Sequence, residues 1–147
     1  MVAALASGTS SPPEPRHGAL KPGFLGILPT RECNLACRYC GFVPRARETQ
    51  IMDLELARDA IDWYLDLVLE RRERTAEIHF FGGEPFYAPE VVEFCCHYAR
   101  TRARDAGITL RLEVATNGVF GESRAQWLAD SFDDVIVSLD GPAEIQN

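Results

Sequence analysis

The sequence predicts an α/β fold built on a parallel sheet. Two observations carry that expectation. Short apolar, β-branched runs alternate with amphipathic stretches of helical period three times over, and a fourth such run follows; strands alternating with helices imply parallel pairing through right-handed crossovers. In addition, four polar clusters each follow the carboxyl end of a predicted strand. In parallel α/β folds that edge is where ligands and catalytic groups gather, so the four clusters predict one shared pocket.

Taken in order, residues 1 to about 20 hold Ser10, Ser11, Pro12, Pro13 and Pro15 with few large apolar groups, the composition of a mobile arm. Residues 21–147 form the folded part. Phe24 to Leu28 is a short apolar run bounded by Pro22 and Pro29, the length of a buried strand. Asp53 can cap a helix running to about Arg72, with Ala57, Ala60, Ile61, Tyr64, Leu65 and Val68 on one face. Glu77 to Phe81 reads as a second strand, ended abruptly by Gly82-Gly83-Glu84-Pro85. Pro89 suits a first helical turn and Gly107 a stop, with Val92, Cys95, Ala99, Arg102 and Ala103 at helical spacing between them. Ile108 to Ala115 alternates apolar with polar residues, as a strand with unlike faces does, and Thr116-Asn117-Gly118 closes it. A shorter helix around Glu122 to Ala129 precedes a β-branched fourth strand, Val135 to Leu139, and the turn Asp140-Gly141-Pro142.

Composition narrows the function classes. A chain of 147 residues is one domain by length, able to bury roughly 68 to 70% of its unfolded surface. No apolar run approaches the ~18 residues that cross a bilayer, which predicts no membrane partner. A formal charge of -7 speaks against nucleic acid, which draws affinity from clustered Lys and Arg. Arg45 with Arg47, and Arg71 with Arg72 and Arg74, suit solvated faces or helix ends. Met1 to Gly8 lacks the basic start of a secretory signal. Five cysteines, an odd number without framework spacing, do not read as a disulfide scaffold. Both facts fit a reducing cytoplasm.

The chemistry concentrates in Cys33-Asn34-Leu35-Ala36-Cys37-Arg38-Tyr39-Cys40. Three thiols so close ask for a metal. A structural zinc site closes with four protein ligands, whereas a set that stops at three leaves one coordination position for chemistry. Spacing alone leaves open zinc, with His79 or His97 as a fourth ligand, a redox pair, coincidence, or a metal centre with one open coordination position.

This CxxxCxxC run, with an aromatic immediately before its last cysteine, resembles the signature of radical S-adenosylmethionine (radical SAM) enzymes. Gly82-Gly83-Glu84 looks like that family's GGE motif, and Thr116-Asn117-Gly118 is similar to the TNG of its peptide-modifying members, typified by anaerobic sulfatase maturases and ribosomal-peptide maturases. The resemblance implies a partial parallel (β/α) barrel of radical SAM type, with about four strands and three helices of a six-fold repeat: the N-terminal part of the barrel. It implies that Cys33, Cys37 and Cys40 hold three irons of a 4Fe-4S cluster, with S-adenosylmethionine on the fourth. Tyr39 would then lie against the adenine, Gly82, Gly83 and Glu84 would grip the methionine amino group, and Thr116 and Asn117 would shape the pocket. Ser138 and Asp140 would contact the ribose or the methionine carboxylate. The reaction implied is reductive cleavage of the cofactor to a 5'-deoxyadenosyl radical that abstracts hydrogen from a peptide or protein side chain. Its electron would come from a low-potential donor such as flavodoxin or ferredoxin.

Bland roles stand beside these. The glycine pair and the Thr-Asn-Gly turn could be ordinary turns, and Asp140 could only stabilise its own. Cys95 and Cys96, adjacent on a helix, point about 100 degrees apart and suit buried small hydrophobes. His79 suits a satisfied core histidine; His17 and His97 receive no role beyond that of the zinc alternative. Similar enzymes usually add a C-terminal extension with cysteines for auxiliary clusters, which residues 1–147 do not contain, and often place a His-Asp pair where this chain has Gln146-Asn147. A non-catalytic cluster- or cofactor-binding module and a zinc-stabilised interaction domain are the competing functional expectations.

Overall fold

The structure, a computed structural model, describes residues 22–41 and 50–142. The expected N-terminal arm, Arg45, Arg47 and the Gln146-Asn147 pair lie outside the described residues. Four strands, β1 (Leu25–Ile27), β2 (Thr75–Phe80), β3 (Thr109–Thr116) and β4 (Asp134–Val137), pair all-parallel in the order β1-β2-β3-β4. Helices α1 (Leu54–Glu70), α2 (Pro89–Ala106) and α3 (Glu122–Ser131) connect them, with a 3-10 turn at Pro85–Tyr87. The α/β expectation and its parallel sheet hold.

A sheet whose order follows the sequence has crossovers that always step the same way, so one face collects the helices and the other stays open, as in a barrel wall. Burial along the strands shows which face is which. Ala76, Ile78, Phe80, Leu112 and Val114 are buried against the helices, while the alternating Glu77, His79, Arg111 and Glu113 face the uncovered side.

The helices present complementary stripes. Ala57, Ile61, Tyr64, Leu65 and Val68 of α1, and Val91, Val92, Cys95, Cys96, Ala99 and Ala103 of α2, are buried. Asp53 caps α1, its carboxylate accepting from the amides of Glu55 and Leu56 at 2.8 and 3.3 Å. Arg102, grouped by spacing with the buried stripe of α2, is instead half-buried. It bonds Asp62 and Asp66 of α1 at 2.7 and 3.1 Å, and Tyr98 donates to Asp62 at 2.7 Å. Arg71 and Arg72 lie just past the end of α1 rather than in its last turn, and Arg72 takes the left-handed conformation there (φ 59). Gly107 ends α2 with φ 67, as expected.

Boundaries moved by one or two residues. The first strand is only three residues long. Residues 29–30 instead pair back onto 51–52, through a Thr30–Ile51 bridge and a Met52 N–H to Pro29 carbonyl bond of 2.8 Å. That pairing closes the base of the loop carrying the three cysteines. The third strand runs one residue further than expected, to Thr116, and the fourth ends at Val137, leaving Ser138 just beyond it.

Candidate functional site

The segment between β1 and the cysteines lies against the Gly82–Glu84 turn as a narrow two-chain strip. The Gly83 amide donates to the Thr30 carbonyl at 3.2 Å and the Glu84 amide to the Glu32 carbonyl at 2.7 Å. Thr30 is buried, and its hydroxyl accepts from the Glu32 amide at 3.0 Å. The glycines are required by this approach. Gly82 has φ 143, and a Cβ on Gly83 would stand 2.2 Å from the Glu32 carbonyl oxygen and 2.5 Å from that of Arg31.

Glu84 is almost fully enclosed, at 2% exposure. Its Oε1 accepts from the Thr116 hydroxyl at 2.8 Å and the Phe86 amide at 3.3 Å, and its Oε2 accepts from the Asn117 amide at 2.8 Å. A buried carboxylate is tolerated only when hydrogen-bonded, and these three donors meet that need. The same carboxylate caps the 3-10 turn at Pro85–Tyr87, which Phe86 packs into an aromatic cluster with Phe120, Trp127 and Phe132. Glu84 thus ties the turn after β2 to the turn after β3. Thr116, also 2% exposed, is spent in this latch, its hydroxyl further accepting from the Gly118 amide at 3.2 Å.

Asn117 carries the connection on to the cysteines. Its side-chain amide donates to the Asn34 Oδ1 at 2.8 Å and to Cys33 Sγ at 3.6 Å, and its Oδ1 accepts from the Val119 amide at 2.8 Å. Asn34 in turn donates to the Val119 carbonyl at 2.9 Å. Cys33 Sγ also receives the Leu35 amide at 3.3 Å. Cys33, Cys37 and Cys40 are partly exposed and in no disulfide, and the Cys40 amide closes a turn onto the Cys37 carbonyl at 3.1 Å.

On the β4 side, the ring of Tyr39 is exposed and its hydroxyl donates to the Asp140 carboxylate. That hydrogen bond raises the Tyr39 pKa above the usual phenol range, and desolvation and the Asp140 charge act the same way. Ser138 donates its amide to the Thr116 carbonyl at 2.8 Å. Every residue predicted for the site therefore lies at the carboxyl ends of the strands, and bonds join the cysteine loop to the turns after β2, β3 and β4.

The other candidates are placed apart from this edge. His79 lies on the open face of the sheet, stacked on Phe24 at 4.2 Å, with Glu77 and Glu113 3.3 and 3.4 Å from its two ring nitrogens. His97 lines an outer groove between α2 and α3 with Glu93, Arg100 and Trp127. Neither completes a ligand set with the cysteines. Among the described residues, no three His, Cys, Asp or Glu side chains converge as a single metal ion would require. Cys95 and Cys96 are buried in the core as small hydrophobes, and burial pushes each thiol pKa up to about 12.

Two contributors went unanticipated. Asn34 had a signal, a polar residue beside a ligating position. Thr30 had none, because its role depends on a turn more than fifty residues downstream.

Three comparisons bear on this geometry. The family model described as the Radical SAM superfamily matches residues 27–146. A cysteine-type anaerobic sulfatase-maturating enzyme of Clostridium perfringens is 29% identical over 119 residues, covering 78% of this chain and 32% of the relative. An uncharacterized protein of Methanothermobacter thermautotrophicus is 29% identical over 123 residues, covering 82% of this chain and 44% of that one. Among solved structures, native anSMEcpe with bound AdoMet superposes with a TM-score of 0.65 at 28% identity, over 84% of this chain and 34% of that chain. The same protein with bound AdoMet and Cp18Cys peptide gives a TM-score of 0.64 at 28% identity, over 84% and 33%. The chain spans less than half the length of each of these relatives.

Proposed function

Because this chain belongs to the radical SAM superfamily, we propose that the protein it represents cleaves S-adenosylmethionine reductively and uses the product to modify a peptide or protein side chain. The observation that carries the proposal is the attachment of a three-thiol loop to the glycine-rich and Thr-Asn-Gly turns at one edge of a parallel sheet. Three partly exposed thiols with amide donors on one sulfur fit a 4Fe-4S cluster, whose ligands are thiolates and whose properties follow hydrogen bonding to sulfur and exposure. Cys33, Cys37 and Cys40 would hold it. Held there, such a cluster would supply the one-electron chemistry for reductive cleavage of S-adenosylmethionine.

The chain's own residues do the positioning. Thr30 and the strip along Gly82 and Gly83 hold the cysteine loop close to the turn whose backbone would receive the methionine amino group. Glu84 would act partly through its latch on Thr116 and Asn117, which keeps that turn in register. Tyr39, anchored by Asp140, would present its exposed ring to the adenine, and Ser138 would face the ribose or carboxylate. Holding cofactor and target C–H together, and excluding water, is where such a protein gains its rate.

The similarity to a sulfatase-maturating enzyme, and to a structure holding AdoMet and a peptide, supports a peptide substrate. A low-potential donor such as flavodoxin or ferredoxin, in the cytoplasm, would supply the electron. Anaerobic reconstitution followed by iron and sulfide analysis, then a 5'-deoxyadenosine assay, tests the proposal. Zinc in place of iron would overturn it. Iron without cofactor cleavage would leave a non-catalytic cluster module.

A further inference from the structure

We propose that Asn117 is the residue that sets the reduction potential of the cluster, acting through Cys33; the inference rests on the cluster assignment above. Cys33 Sγ receives two N–H donors, the Leu35 amide at 3.3 Å and the Asn117 side chain at 3.6 Å. The first comes from the loop's own backbone. The second is delivered from the turn after β3, across more than eighty residues of sequence.

The orientation of the Asn117 amide is determined by its neighbours. The Val119 N–H can only donate, so the atom facing it must be Oδ1. Asn34 donates its own NH₂ to the Val119 carbonyl, which leaves Asn34 Oδ1 as the acceptor for the Asn117 NH₂. With oxygen and nitrogen so assigned, the Asn117 NH₂ is the group turned to Cys33. The Asn117 backbone is also fixed, since its amide is held by the buried Glu84 carboxylate. A neutral donor locked at three points is a positioning device of the kind found around metal ligands, where partners of the ligands tune the centre they do not touch.

The physical consequence has a sign. Reduction adds one electron, taken from an external low-potential donor, and no bond to Cys33 is made or broken. The added negative charge is shared by the ligating sulfurs, so an N–H aimed at one of them stabilises the reduced form and raises the midpoint potential. Asn117 keeps that potential from falling beyond the reach of the donor.

The test is a redox titration of the reconstituted full-length protein, without S-adenosylmethionine, followed by the reduced-cluster electron paramagnetic resonance signal. Asn117→Ala should lower the reduction equilibrium constant about tenfold, a shift of about 59 mV to more negative potential for a one-electron couple. Asn117→Asp, of equal shape but offering an acceptor oxygen to the sulfur, should shift further the same way. Both should retain the parent's iron content and circular dichroism. An unchanged or higher midpoint in iron-loaded variants would overturn the inference, as would a folded Asn117→Ala protein that takes up no iron. If Asn117 variants do not fold, Asn34→Ala, which removes the partner orienting the amide, should lower the midpoint by a smaller amount, and an unchanged value there would overturn it equally. A parent protein that loads no iron-sulfur cluster would instead defeat the proposed function itself.

Discussion

Replacing Glu84 by Gln isolates the latch at the centre of the site. The carboxylate accepts three hydrogen bonds, from the Thr116 hydroxyl and the amides of Phe86 and Asn117. A glutamine must turn its NH₂ toward one side or the other. Facing Asn117, it would set donor against donor at 2.8 Å. Facing Thr116 instead, it lets the hydroxyl rotate to accept but meets the Phe86 amide at 3.3 Å. The second arrangement is the cheaper one. It loses one bond outright and converts the others from charged to neutral. With hydrogen bonds to charged groups at about 1.5–3 kcal/mol and neutral ones near 1, and with relief of the buried charge offsetting part of the loss, the net cost is about 2 kcal/mol. Glu84→Ala, which strands all three donors, should cost more, about 3–5 kcal/mol. Urea denaturation of the reduced, metal-free full-length protein reads this directly. At a slope of about 2 kcal/mol/M, Glu84→Gln should lower the midpoint by about 1 M with the slope unchanged. Hydrogen exchange at the Asn117 and Phe86 amides should accelerate in step. A midpoint equal to the parent's, with only cofactor affinity reduced, would refute the reasoning, since it would mean that the carboxylate is free for the cofactor rather than committed to Thr116 and Asn117.

Three further outcomes follow from the geometry. Gly83→Ala should destabilise by about 1–3 kcal/mol and reduce cluster uptake, because a methyl placed 2.2 Å from the Glu32 carbonyl must push the cysteine loop away; thermal melts and iron content check it. Arg72→Gly should stabilise the protein by about 1 kcal/mol in urea denaturation, because a non-glycine residue there sits at φ 59 at the end of α1. Cys95 and Cys96, raised from 9.0 to about 12 by burial, should resist iodoacetamide at pH 8 in the native metal-free protein while Cys33, Cys37 and Cys40 are labelled, as peptide mass spectrometry would show. The same shift has a stability sign: the unfolded thiols release protons above pH 9 while the folded ones keep theirs, so the contribution is intact below pH 9 and declines as pH rises toward 12.

How much of this was legible in the sequence depends on the range over which each residue acts. Helix α1 could be placed because its signals are local: Asp53 caps it and its buried positions recur at three and four. The parallel sheet was legible too, since alternation of strands and helices constrains topology before any contact is known. The edge at which the site gathers follows from that topology alone. What local pattern could not show is how the polar residues are spent. Glu84 was expected to face a ligand; its carboxylate also accepts from Thr116, Phe86 and Asn117 as a structural latch, and the partners on the β3 turn lie more than thirty residues on. Gly82 and Gly83 were expected to make room for a cofactor; within the protein they also make room for the carbonyls of Thr30, Arg31 and Glu32. Tyr39 and Asp140 looked like two independent contacts and are one pair. In each case the motif residue is held by the turn of another motif. The three motifs are therefore joined in one hydrogen-bonded frame, and a change in any turn should be felt at Cys33. That coupling is a property of pairings distant in sequence, which is why spacing within each motif, however distinctive, could not disclose it.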